Sequence, residues 1–148
     1  MKANDLTKFH EIRKQINITR KHHIKVGLPS DIGEYKDGTS ILMVGASHEY
    51  GLGVPRRSFL RVPMQVKKNQ INFAIKGAFK SILKGGDAIL NLNKVGLIAQ
   101  NISKSSFETQ GFGKWKKLSK KTELEKGSSK ILIDTGRLVQ SVTYWVDK

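Results

Sequence analysis

The chain has 148 residues, a formal net charge of +15 and a sequence pI of about 10.1, which favours a polyanionic partner or an acidic protein surface. It has no cysteine, which excludes a disulfide framework and a cysteine-ligated zinc site and suits folding in a reducing cytoplasm. Its length is typical of one domain, its polar N-terminus predicts no signal peptide, and no apolar run approaches the roughly 20 residues of a membrane helix.

The first fifty residues predict a helix, a strand and a second, shorter helix. Apolar side chains at helical spacing predict the first helix over residues 4–20. Residues 23–28 alternate between polar and apolar side chains, which predicts a strand. After a loop over residues 30–39, Ser40 is expected to cap a helix that Gly51 ends.

Two long amphipathic helices are predicted in the middle of the chain. The first starts near Pro63 and carries an apolar stripe to about Lys84, where a Gly-Gly pair interrupts it. Asp87 is expected to cap the second helix, whose apolar stripe fades near Phe107. Two such helices joined by a short turn predict a helical hairpin.

The last part of the chain predicts a basic loop followed by an ordered end. Residues 111–130 are rich in lysine, glycine and serine and predict an exposed, mobile loop with one helical turn over residues 122–126. Asp134 or Thr135 is then expected to cap a short helix. Residues 141–146 alternate in polarity and predict a terminal strand.

This order of elements predicts an α+β fold. The early and the last strand are expected to form a small antiparallel or mixed sheet, packed against the two long amphipathic helices, with the mobile basic loop outside it. No internal repeat and no linker marks a second domain. Residues 1–148 are therefore expected to form a single domain.

Candidate catalytic and metal-binding residues are few and badly spaced. A zinc-protease motif needs a second histidine one helical turn after His48-Glu49, but position 52 is a leucine, so a buried, hydrogen-bonded His48 at a helix end is favoured. His22 and His23 are adjacent on the strand and point to opposite faces. Four acidic residues without recognisable metal-site spacing are the remaining candidates: Asp31, Glu34, Asp37 and Asp134. The sequence predicts no enzyme, no metal site and no cofactor.

The positive charge is better organised than the catalytic candidates. Between Glu49 and Asp87 the chain has no acidic residue. On the predicted helix in this stretch, Lys76, Lys80 and Lys84 are spaced at i, i+4 and i+8 and form one basic stripe. This stripe is either a solvated helix face or a surface that faces DNA or an acidic ring of another protein.

A second basic cluster surrounds Trp115. Its members are Lys114, Lys116, Lys117, Lys120 and Lys121. A basic loop with an aromatic side chain can bind single-stranded nucleic acid by stacking, and a hydrophobic anchor is the other interpretation of the tryptophan.

Two segments resemble the bacteriophage virion-morphogenesis and tail-completion families. Residues 48–51 (HEYG) and 54–60 (VPRRSFL) resemble the "HEFG … IPARPFL" signature of those families. Trp115, followed by residues 132–138 (LIDTGRL), resembles their "W-x-PL … T … L-x-DTGRL" ending. Ser58 and Lys117 stand where the families have proline, which relaxes each turn without removing an apolar anchor. The resemblance spans roughly residues 24–146.

The resemblance implies a non-enzymatic subunit of the neck or tail, which often forms a ring of identical subunits around the DNA channel. Its implied partners are tail-tube, terminator or connector proteins, with non-specific contact with genomic DNA and none with a membrane. The implied location is the virion, after assembly in the host cytoplasm. Residues expected to act as structural motif or interface are His48, Glu49, Gly51, Pro55, Arg56, Arg57, Phe59, Leu60, Trp115, Asp134, Thr135, Gly136, Arg137 and Leu138.

Individual roles follow from the same resemblance. Gly136 would permit a close backbone approach, Leu138 would pack inward and Arg137 would pair with an acidic group. Phe59 and Leu60 would fill the core or a neighbouring subunit. Candidates for a surface that faces DNA or acidic protein are Lys76, Lys80, Lys84, Lys116 and Lys117.

Two other functions remain open from the sequence. The alternative function is sequence-independent nucleic-acid binding, which predicts tight, salt-sensitive DNA binding by a monomer. The second rival is a nuclease or toxin, which predicts metal-dependent cleavage that substitutions at Asp31, Glu34 or Asp134 abolish. Few and scattered acidic residues give that second rival little support.

Overall fold

The computed structural model describes residues 3–126, 129–132 and 136–148, and the side chains of residues 3–5, 125 and 126 lie outside this description. In these ranges the chain forms seven helices and two strands. In chain order they are α1 (Ala3–Arg20), β1 (His23–Gly27), α2 (Ile41–Tyr50), α3 (Arg61–Val66), α4 (Lys68–Ile82), α5 (Ala88–Glu108), α6 (Lys120–Lys126), α7 (Arg137–Ser141) and β2 (Thr143–Asp147).

The strands near the two ends of the sequence pair with each other, as their alternating polarity predicted. β1 and β2 form a two-stranded antiparallel sheet, against which the long helices α4 and α5 pack. On the exposed side of the strand pair, Lys25 Nζ lies 2.7 Å from Asp147 Oδ2. Gly96 of α5 makes room for Tyr144, because a Cβ atom at position 96 would lie 2.2 Å from the tyrosine Cδ2. The α+β class is therefore confirmed.

Contacts divide the chain into two compact units, each built from separate stretches of sequence. The first unit comprises Met1–Val26, Lys67–Ala99 and Tyr144–Lys148, and the second comprises Gly27–Val66 and Gln100–Thr143. Each has its own buried side chains.

In the first unit, α1 packs against α4. The apolar core here includes Ile82, Ala88 and Val95. Buried Gln15 of α1 supplies its Oε1 to the backbone N–H of Ala88 at 2.8 Å, which satisfies a donor at the first turn of α5. Asp87 caps the same turn as predicted, because its Oδ1 accepts from Leu90 N at 2.7 Å.

The predicted helix from Pro63 to Lys84 is two helices. α3 begins at Arg61, so Pro63 lies inside its first turn, where a missing N–H costs no hydrogen bond. Lys67 leaves helical geometry with φ −101° and ψ 21° and separates α3 from α4. Because the apolar stripe continues across Lys67, the periodicity of the sequence alone does not indicate this break.

In the second unit, α2 packs against α7. Both predicted ends of α2 are confirmed. Ser40 accepts from Met43 N at 3.4 Å, and Gly51 ends the helix in the left-handed region with φ 79°. Gly45 is a buried residue of α2. A Cβ atom at position 45 would lie 2.4 Å from Leu28 Cδ1 and 3.3 Å from Leu138 Cδ1. A glycine is therefore needed for this close approach.

The basic segment of residues 111–130 has more helix than predicted. α6 spans Lys120–Lys126, which is longer than the expected turn over residues 122–126. Ser119 lies just before it and accepts from Thr122 N at 3.2 Å, in the manner of a helix cap. The predicted mobility of the segment stays a prediction. Among the described residues, no helix is long and apolar enough to cross a membrane.

Candidate functional site

The first motif segment folds around the carboxylate of Glu49, which is 5% exposed. Oε2 accepts from the backbone N–H of Phe59 at 2.8 Å and of Leu60 at 2.9 Å. Oε1 accepts from Ser58 Oγ at 2.7 Å and from Arg61 N at 3.1 Å. These four hydrogen bonds satisfy donors that would otherwise be unpaired before and at the start of α3. Glu49 is therefore a structural anchor in this fold.

The loop between Gly51 and Arg57 returns the chain to the end of α2. Arg57 N donates to the carbonyl oxygen of His48 at 2.8 Å. A Cβ atom at Gly51 would lie 2.9 Å from Arg56 Cβ, so the left-handed turn also needs the absence of a side chain. Pro55 and Arg56 are exposed on this loop, and His48 is half-buried where the sequence favoured a buried side chain.

Phe59 connects the two motif segments through a row of aromatic rings. Its side chain is fully buried, and its ring centroid lies 5.0 Å from that of Phe107. Phe107 in turn meets Trp115 edge-on at 5.8 Å. Ser103 Oγ fixes the backbone here by donating to the carbonyl oxygen of Phe59 at 2.6 Å. Trp115 is half-buried, which fits the hydrophobic anchor better than an open stacking platform. Leu60, the residue after Phe59, is half-buried.

Gly136 occupies the N-cap position at the start of α7, with φ 74°. Among the described residues, a Cβ at this glycine would meet Gln140 of the same helix, at 3.5 Å. Its positive φ favours glycine, and the predicted close backbone approach stays a prediction. The predicted capping residues, Asp134 and Thr135, lie outside the described residues.

Arg137 and Leu138 point to different environments. Leu138 is buried, as predicted, and contributes to the packing of α7 on α2. Arg137 is exposed, and its Nη1 donates to the backbone carbonyl oxygen of Glu34. Its guanidinium also lies 5.9 Å from the ring centroid of Tyr35. The predicted acidic partner of Arg137 stays a prediction.

Both motif segments line one cavity of about 1260 Å³ in the second unit. Its cationic lining consists of Lys36, Arg57, Lys116, Lys117 and Arg137. Its apolar lining consists of Val44, Val54, Pro55, Leu118, Leu132 and Leu138. Among the described residues, Asp37 is the one carboxylate in the lining. Its Oδ1 accepts from Thr39 N at 3.0 Å, and this bond lowers the pKa of Asp37. We call this space the basic cavity.

Arg57 is the unusual member of the basic cavity, because it is 6% exposed. Its guanidinium makes one hydrogen bond, from Nη2 to the carbonyl oxygen of Lys116 at 3.2 Å. Its Nε is buried without an acceptor, and in the described part of the chain no carboxylate lies within ion-pair distance. Burial lowers the pKa of Arg57, yet an arginine keeps its proton in proteins.

The basic stripe is a separate feature of the first unit. Lys76 and Lys80 lie on α4, whereas Lys84 lies in the turn two residues beyond the end of this helix. All three lysines are exposed, as predicted for either interpretation of the stripe. Phe73 lies on the same face, three residues before Lys76, and is 80% exposed. In the second unit, Lys116 and Lys117 are also exposed.

The candidate metal ligands do not come together where they are described. Among the described residues, no group of three or more His, Asp or Glu side chains is placed to hold a metal ion. Asp31 and Glu34 are exposed in the loop before α2. Asp134, the third acidic residue of the nuclease hypothesis, lies outside the described residues.

Three features of this site were missed by sequence reasoning. Glu49 is named in the sequence analysis as part of a failed metal motif and as a motif residue, but the sequence does not show that its carboxylate anchors the backbone of residues 59–61. Arg57 is grouped with Arg56 among the motif residues, and nothing in the local sequence marks it as buried. Gly45 lies within an apolar helix, and the local sequence does not show that Leu28 and Leu138 approach it closely.

Comparison of the chain with protein-family models, with curated proteins and with solved structures finds no significant match. The chain is thus an α+β protein with a buried structural carboxylate, an exposed basic helix face and a basic cavity.

Proposed function

We propose that this chain is a structural protein of a bacteriophage neck or tail, which acts by oligomeric assembly around the DNA channel. One observation carries the proposal. The two segments that resemble the virion families, separated by more than fifty residues of sequence, pack together in the second unit through Phe59, Phe107 and Trp115. Arg57 links them again through its bond to Lys116.

An exposed apolar surface beside the first motif supports a role in assembly. Met43, Tyr50 and Leu52 are 66%, 65% and 62% exposed at α2 and just beyond it. Met43 and Tyr50 are seven residues apart and therefore share one face of the helix. Clustered exposed apolar side chains are a feature of surfaces that another protein covers. Identical subunits that use such a surface head to tail form a ring when the rotation between neighbours closes.

The proposal is tested by the mass of the purified protein in light scattering, at low and high salt, with and without duplex DNA. We expect a discrete, ring-sized oligomer whose mass does not depend on DNA. A matched pair of variants locates the interface. Met43→Ser with Tyr50→Ser should reduce the mass, and Leu90→Ser, which removes a 55% exposed side chain of the first unit, should not. A monomer that binds DNA tightly and releases it as salt rises would refute the proposal.

A second candidate function is sequence-independent nucleic-acid binding, which the exposed Phe73 on the basic stripe favours. It makes a quantitative prediction. Each phosphate that a lysine neutralises contributes about 0.9 to the slope of log affinity against log salt. Replacing Lys76, Lys80 and Lys84 by glutamine should therefore lower that slope by roughly 2.7 if all three contact phosphates. An unchanged slope would exclude the stripe as a DNA-binding surface.

A further inference from the structure

We propose that the basic cavity binds an acidic, extended segment of a partner protein, with one of its carboxylates paired to Arg57. The inference rests on the proposed assembly function and names the chemistry of the partner surface. Burying a cation without an opposite charge is costly. The Arg57 side chain belongs to a residue that is 6% exposed, and among the described residues its guanidinium has one hydrogen bond, to a backbone oxygen, and no carboxylate at ion-pair distance.

The described lining of the cavity offers Arg57 no available carboxylate. Its one carboxylate among the described residues, Asp37, already accepts from its own turn at Thr39. Within the described part of the chain, Arg57 therefore has no fixed ion-pair partner. An incoming carboxylate would accept from the guanidinium in the geometry that arginine favours. The exposed neighbours Lys116 and Lys117 would raise the local concentration of an acidic partner.

The size and apolar lining of the cavity indicate a peptide segment as the ligand. A volume of about 1260 Å³ exceeds the usual range of about 300–1000 Å³ for small-molecule sites. Apolar side chains such as Val54, Leu118 and Leu132 lie among the cations. A segment in which acidic residues alternate with apolar ones satisfies both parts of this lining.

Duplex DNA fits this cavity less well than a peptide does. A duplex is stiff and presents its phosphates on a convex surface. The guanidinium of Arg57, with 6% of the residue exposed, is not accessible to that surface. The exposed lysines of α4 are the groups of this chain that suit a duplex, and they belong to the first unit.

The test is a binding titration of the full chain with a fluorescent peptide of about ten residues in which glutamate alternates with leucine and valine. We expect saturable binding that a matched peptide with glutamine in place of glutamate does not show. Arg57→Met should weaken binding by at least roughly 30-fold, as expected for loss of a buried charge pair. It should leave the unfolding midpoint unchanged or raised, because an apolar side chain suits the buried position. Lys94→Met, which removes an exposed cation outside the cavity, is the control.

The possible outcomes separate this inference from the proposed function. Equal binding of both peptides, or equal affinity of wild type and Arg57→Met, would overturn the acidic-segment site. Stronger competition by inorganic sulfate or by a single-stranded oligonucleotide than by unlabelled acidic peptide would also overturn it, in favour of an anion or nucleic-acid site. Light scattering on the same samples reports the oligomer. A ring-sized mass without peptide binding refutes the inference alone, and a monomer that binds the peptide refutes the assembly function alone.

Discussion

Replacing Glu49 by glutamine tests how the first motif holds its turn. Glutamine has nearly the same shape but one acceptor oxygen, so an amide nitrogen would face two of the four donors that now bond to the carboxylate. Two charge-assisted hydrogen bonds are lost, and each buried donor left unpaired costs about 1–3 kcal/mol. We therefore expect the free energy of unfolding to fall by about 2–6 kcal/mol.

Urea unfolding followed by tryptophan fluorescence measures this loss. The matched control is Glu108→Gln, because Glu108 is exposed, and its effect should be about 0.5 kcal/mol or less. Hydrogen exchange adds a local readout, since the amides of Phe59, Leu60 and Arg61 should exchange faster in Glu49→Gln than in wild type. If the two glutamine variants are equally stable, the carboxylate does not hold this turn and the reasoning is refuted.

Three further predictions follow from single contacts. Gly53→Ala should lower the free energy of unfolding by about 1–2 kcal/mol, because its positive φ alone disfavours alanine. Gly51→Ala should cost more, because its new Cβ also meets Arg56. Equal losses of the two variants in urea unfolding would contradict this. Phe59→Ala should lower the free energy of unfolding by about 3–5 kcal/mol, as for other fully buried aromatic side chains, and a loss below about 1 kcal/mol would show that the aromatic row does not support the core. The hydrogen bond from Lys25 lowers the pKa of Asp147, so the native state gains stability above the ordinary carboxyl pKa of about 3.9 and loses that gain as the pH falls through the lowered value. The stability difference between wild type and Asp147→Asn, measured by denaturation at several pH values, should therefore be present at neutral pH, begin to decrease near pH 4 and disappear as the pH falls through the lowered pKa. A difference that does not change with pH would refute the ion pair.

Helix and strand positions were predictable where one residue satisfies a local backbone requirement. Ser40, Gly51 and Asp87 each act within three or four residues of their own position, so the sequence alone identifies them. The pairing of β1 with β2 was predictable for another reason, since two short alternating segments had no other strand to pair with in the predicted set.

The candidate site was less predictable because its features depend on distant residues. Arg57 is buried by the segment around Lys116, which lies 59 positions later in the chain. Gly45 is required by Leu28 and Leu138, and no local pattern indicates either contact. The break at Lys67 was also missed, because an apolar stripe records which face is buried and not whether every backbone hydrogen bond is formed.

The measurement that tests the proposed assembly most directly is electron microscopy of the purified oligomer, with averaging of views along its symmetry axis. Assembly around a DNA channel predicts closed rings of identical subunits with an open centre, in the same buffer in which light scattering gives the oligomer mass. Single subunits, open filaments or closed particles without a central opening would contradict it.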